Sequence, residues 1–184
     1  MEVKVFLKIF KNGELVLQQP SKCILSNFRW MLYDWLTLAV NPDWTNYPYE
    51  RGFRARINAP DNDDRFGIVV GSGAMPVTPD DTSLSEKITH GTGTGQLDYD
   101  NSEVSYEVDY VNKRGYIYVK RSFKNLSDSD VIVRECGIVA HYVVDRGYRL
   151  ARDKWLLIVR DVLSEPITVH PYEQLVIHYT FQIG

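Results

Sequence analysis

The residue types able to do chemistry are few, and their spacing argues against most of the chemistry they suggest. The four histidines, His90, His141, His170 and His178, form no HxH or HxxxH pair, so a zinc site would need pieces from distant parts of the chain. Cys136 and His141 come nearest to a thiol–imidazole couple. They lie five residues apart in a β-prone run, which points them to opposite faces of a sheet, where the imidazole cannot act as base. No serine stands in a GxSxG elbow. Glu103, Glu107 and Asp109 share one face of an alternating stretch and could suggest glycosidase carboxylates, but an acidic row facing solvent is the simpler reading.

The loop-like motifs are treated the same way. Asp61-Asn62-Asp63-Asp64 offers oxygens to calcium, yet counting an EF-hand-like loop from Asp61 puts Phe66 and Ser72 where Gly and Glu are required. It reads as an acidic turn. Gly71-Ser72-Gly73 lacks a third glycine, because Pro76 holds that place, and the run from His90 to Gly95 has no Lys-Ser/Thr and enters a strand. Both read as flexible connections. The residues therefore support no catalytic, cofactor or metal site, and the chain reads as a non-enzyme.

Trp44, Tyr47, Tyr49 and Phe53 fall within one short stretch among Asn, Asp and Pro. Aromatic rings held in a polar loop stack on sugars or anchor a protein partner. They serve equally as a lid folded onto the core. These four are the candidate partner or glycan contacts.

The elements that must position these residues follow from composition and pattern. The 184 residues are 44% hydrophobic and 24% charged, as in an ordinary soluble domain. A chain of that length buries about 70% of its unfolded surface and needs no metal or disulfide to fold. The net charge of -3 lacks the basic excess that meets phosphate, so nucleic acid is not expected as a partner. No apolar run is long enough for a membrane span, and the N-terminal residues lack a signal-peptide pattern, so synthesis in the cytoplasm is expected. Cys23 and Cys136 match no zinc or CxxC spacing; two free thiols are the simpler reading, with one long-range disulfide left open.

Residues 2–10 and 14–18 are β-prone and flank Asn12-Gly13, the signature of a tight hairpin turn. In residues 24–40, Ile24, Phe28, Met31, Leu32, Trp35 and Ala39 recur at helical spacing, predicting an amphipathic helix that ends before Asn41-Pro42. Residues 41–65 are rich in loop formers. A strand near 66–70 follows, and then a short helix over 81–88 capped by Asp80 or Asp81, with Leu84 and Ile88 inward. Residues 103–110 alternate with period two, 174–183 do so with Val176 as the exception, and further strands fall at 115–124, 131–144, 154–160 and 166–169. The fold class is mainly β, an antiparallel β-sandwich (jelly-roll-like) with an N-terminal β-hairpin and one amphipathic helix. Residues 1–40 form a hairpin-plus-helix unit packed on the main domain or a neighbour, and 41–184 form the sandwich.

From residue 66 a strand, a Gly-x-Gly step, a Pro/Thr segment and an Asp-Thr-x-Leu element succeed one another, as Ile68–Gly73 and Pro76–Leu84. Then come Arg121-Ser-Phe-Lys-Asn125, Val133-Arg-Glu-Cys-Gly-Ile138 and Leu150-Ala-Arg-Asp153, and a closing alternating strand. In this order the pieces resemble a family of structural proteins of tailed bacteriophages and related viruses, over residues 66–184. The resemblance implies a virion component made in the host cytoplasm: a tail-fibre, baseplate, collar or capsid-decoration sandwich. It implies contacts with other virion proteins and with copies of itself, and no catalytic residues. Asp81-Thr82-x-Leu84 then reads as a helix cap plus core anchor. Glu135 reads as a buried or interface acid in need of a partner, with Arg134 and Arg121 as the options. The alternatives are a carbohydrate-binding host-attachment module using the loop at 44–53, and a hydrolase whose carboxylates come from distant segments.

Overall fold

The computed structural model describes residues 3–21, 24–29, 31, 54–144 and 152–184. The chain is mainly β, and the described residues form nine antiparallel strands in two sheets. The first sheet has five strands in the order β2 (Glu14–Pro20), β1 (Val3–Lys11), β9 (Gln174–Ile183), β6 (Arg114–Lys124) and β5 (Asp98–Asp109). The second is built on β7 (Val131–Val144). β8 (Arg152–Val169) pairs along nearly all of one edge, while β3 (Arg54–Arg56) and β4 (Gly67–Gly71) share the other.

Local sequence accounts for the N-terminal hairpin. Asn12 and Gly13 take φ values of 50° and 88°, the pair of positive angles that a two-residue turn requires. Asn12 also fastens this turn to the one before β9: its Nδ2 donates to Glu173 Oε1 at 3.0 Å, and its Oδ1 accepts from Gln174 N–H at 3.0 Å. β1 pairs with β9 over nine residues, so the hairpin is part of the first sheet, and Val5, Leu7, Ile9 and Leu17 lie in the common core.

The two sheets bury their facing apolar rows against each other. Ile68, Val70, Ile138 and Val159 of the second sheet share one cluster with Ile9, Val119, Phe123 and Ile177 of the first. Strands carrying Val, Ile, Phe and Tyr at every second position suit this arrangement, because alternate side chains reach one face. Residues 24–29 lie on the free edge of β8, with Leu25 N–H donating to Ile158 O at 3.0 Å and Asn27 Nδ2 to Leu157 O at 3.1 Å. A helical turn begins at Ser26. The rest of the helix expected over 24–40 lies outside the described residues.

Two expectations are corrected. Residues 81–88 are not helical. Leu84 and Ile88 are buried as anticipated, but in an irregular segment lying on the outer face of β4 and β7. Its backbone bonds go to β4 instead: Ile88 N–H donates to Val70 O at 2.9 Å, and Ser72 N–H to Glu86 O at 2.8 Å. The glycines at 71 and 73 are not a flexible joint. Both are buried, and a Cβ on Gly71 would sit 2.5 Å from Glu86 O and 2.7 Å from Glu135 Oε1. They are small so that the segment can approach the strand.

Candidate functional site

Among the described residues, buried polar groups meet in three centres beneath the surfaces. On the outer face of the second sheet, register places Val69, Gly137 and Arg160 side by side, with Glu135 opposite Gly71. Arg160 Nε donates to Glu135 Oε2 at 2.9 Å, Nη1 donates to Asp81 Oδ2 at 2.6 Å, and Nη2 donates to Met75 O at 3.0 Å. Glu135 Oε1 also accepts from Ser85 Oγ and Glu86 N–H, both at 2.9 Å. Burial works to raise the Glu135 pKa, but the hydrogen bonds from Glu86, Arg160 and Ser85 outweigh it and hold the carboxyl below its usual range. At Asp81 burial is likewise overcome, by Thr78 and Arg160. The partner of Glu135 is thus Arg160. Arg134 instead donates to Ser72 O, and Asp81 anchors Arg160 and Thr78 in place of capping a helix.

The second centre lies between the sheets. The Tyr179 hydroxyl donates to Asp161 Oδ2 at 3.0 Å and lies 3.2 Å from Cys136 Sγ. Burial pushes the Cys136 thiol and the Tyr179 phenol up, and the Asp161 carboxylate adds to both shifts. A thiol so protonated and enclosed is a poor nucleophile. His141 points to the other face, half-buried, with Nε2 3.0 Å from Asp153 Oδ1 and its ring stacked on Trp155.

Arg121 is also fully buried, and it donates only to backbone carbonyls: Asp100, Phe66, Ile68, Pro60 and Asp63. Its guanidinium lies 4.8 Å from the centre of the Tyr99 ring. It joins β6 to the 60–68 segment and leaves Glu135 to Arg160.

The surface carboxylates each have local work. Glu103 pairs with Lys120 at 3.5 Å, and Glu107 accepts from the Tyr118 hydroxyl at 2.9 Å. Asp109 accepts from the N–H groups of Val111 and Asn112 at 3.0 Å, closing the turn between β5 and β6. In the acidic turn, Asp63 binds Arg65, and Asp64 binds Lys87 and His90 N–H. Among the described residues no three His, Cys, Asp or Glu side chains are grouped to hold a metal ion. Trp44, Tyr47, Tyr49 and Phe53 lie outside the described residues.

One surface departs from the pattern of the rest. Across the first sheet, Leu7, Tyr179, Val119 and Val104 are mutually paired and face the core side together; so do Val5, Phe181, Ile117 and Tyr106 in the next row. Leu7, Tyr179 and Val119 are fully buried, but Val104 is 44% exposed and Tyr106 82%. Val108, one row further, is 48% exposed. The core face of the first sheet therefore runs out into solvent along β5, an apolar strip on a strand that ends the sheet. Sequence alternation places Val104, Tyr106 and Val108 on the right face but carries no sign that the face is uncovered.

Fold and site together define a two-sheet antiparallel sandwich with an open apolar edge. No family model matches the chain, and neither a curated protein nor a solved structure is significantly similar to it.

Proposed function

We propose that the chain is a non-enzymatic structural component of a tailed-virus particle, a tail, baseplate, collar or capsid-decoration part that acts through repeated protein–protein contacts. The observation that carries this reading is the exposed strip of Val104, Tyr106 and Val108 on the terminal strand of the five-stranded sheet. Apolar side chains beside an unpaired backbone edge invite pairing with another chain, and proteins that remain single usually blunt such edges. The buried Arg160 and Arg121 centres add support, since a part held in a lattice needs a surface of fixed shape. So does the order of motifs over residues 66–184. The partners are other virion proteins and further copies of the chain. The test is immunogold labelling of particles purified from the culture that makes the protein. Labelling at one recurring position, in multiple copies per particle, supports the reading. Recovery of the chain only outside the particles overturns it.

A further inference from the structure

We propose that copies of this chain join head to tail through the two rims of the five-stranded sheet, β5 of one copy pairing with β2 of the next. The inference rests on the assembly reading above and names its partner as a second copy.

β5 and β2 are the terminal strands of the sheet, and among the described residues neither has a strand on its outer side. The first part of β5 is closed by the preceding loop, with Ser102 N–H bonded to Ala59 O at 2.8 Å and Asn62 N–H to Tyr99 O at 2.9 Å. What remains open runs from Glu103 to Asp109, and the regular part of β2 available to it follows the bulge, from Leu17 onward. The open part of β5 carries no inward charge; β2 has a bulge between Leu15 and Leu17 with Glu14 on the core side before it, so its regular edge is Leu17–Gln19, with Pro20 at the last position.

Charge decides between pairing modes. Two β5 strands related by a two-fold axis run antiparallel. Of the three most overlapped registers that keep Val104, Tyr106 and Val108 on one face, one sets Glu103 opposite Asp109, one sets Glu103 opposite Glu107, and one sets Glu107 opposite its own copy. Like charges directly opposite are unfavourable. Head-to-tail joining removes this conflict. Each step from β2 through β1, β9 and β6 to β5 is antiparallel, so β2 and β5 run the same way and the new pairing is parallel. Leu17 and Gln19 of β2 then continue the row of Val104, Tyr106 and Val108. Gln18 stands beside the acidic row, with exposed Lys8 directly behind it on the same face. The acids of one copy thus meet a neutral residue backed by a cation. A contact of this kind uses different surfaces on its two sides and so builds a ring or a filament, not a closed dimer.

The test is sedimentation velocity over a concentration series, on the wild-type chain and on Gln18→Lys, Gln18→Glu and Tyr106→Asp. All three substitutions are at exposed positions, and matching thermal unfolding curves verify the fold. The wild type is expected to grow past the dimer. Gln18→Lys is expected to lower the association midpoint and Gln18→Glu to raise it, each about tenfold, and Tyr106→Asp to leave a monomer. Growth that stops at a dimer, a midpoint indifferent to the charge at position 18, or a wild type that stays monomeric overturns the pairing. Particle labelling is read separately: the chain found in particles while these outcomes fail removes the edge pairing and leaves the virion reading, and absence from particles removes that reading whatever the mass.

Discussion

Arg160 and Arg121 are both buried, yet they are satisfied in opposite ways. Arg160 sits between two carboxylates, so removing it strands a buried anion. Arg160→Met is expected to lower stability by about 3–5 kcal/mol, read from the urea midpoint at neutral pH. The acid limb carries a second signature. The pKa values of Glu135 and Asp81 are lowered in the folded state, so their contribution is present above the ordinary carboxylate range and lost as pH falls through the folded values. Wild-type stability should therefore fall as pH drops from about 5 towards 3, and in Arg160→Met that fall should shrink or change sign. Among the described residues no carboxylate is bonded to Arg121, which instead fills a ring of carbonyls. Lys has three donors on a point charge where Arg has five in a planar fork, so Arg121→Lys is expected to cost about 3 kcal/mol in the same assay. Neither pairing was legible from sequence. Glu135 was recognisable as an acid in an apolar strand, but its partner lies 25 positions away on the neighbouring strand, and only register brings the two together.

Among the elements, the segment after β4 shows how tertiary contact overrides a local signal. Asp80-Asp81 ahead of Leu84 and Ile88 has the look of a capped helix. The chain instead spends Asp81 on Arg160 and Glu86 N–H on Glu135, and a helix over 81–88 would take the Glu86 N–H for its own backbone. A Cβ on Gly73 would collide with Ser85 Oγ, and one on Gly71 with the Glu86 carbonyl. Gly73→Ala is expected to cost about 1–3 kcal/mol. Hydrogen exchange of residues 72–88 should speed up while the amides of β1 and β9 stay protected. Equal protection in both regions would show that the segment is not pinned through this glycine. The hairpin turn is the opposite case. Asn12-Gly13 announces itself by residue type alone, because positive φ at two successive positions is cheap for that pair and costly for most others.

At the scale of the whole molecule, the sandwich encloses Cys136 fully between its sheets. Peptide mapping after brief thiol labelling should find Cys136 unmodified in the native protein and modified once urea unfolds it. Modification at neutral pH without unfolding would show that the two sheets separate readily. The same global packing decides which part of the surface is available for contact. Rows of the first sheet carry apolar residues on their core side, and for β5 and β9 this was visible as alternation in the sequence. The strand content, the turn at Asn12-Gly13 and the face shared by Val104, Tyr106 and Val108 were determined by the sequence alone, because they depend on the period of the backbone and on residue type; Glu135 stood out only as a buried or interface acid. The tertiary structure alone decided that Arg160 neutralises Glu135, that Gly71 and Gly73 admit a passing segment, and that the apolar face of β5 meets water. Those outcomes depend on which strands become neighbours and how far one sheet extends over the other, and distances between remote parts of a chain leave no trace in its local pattern.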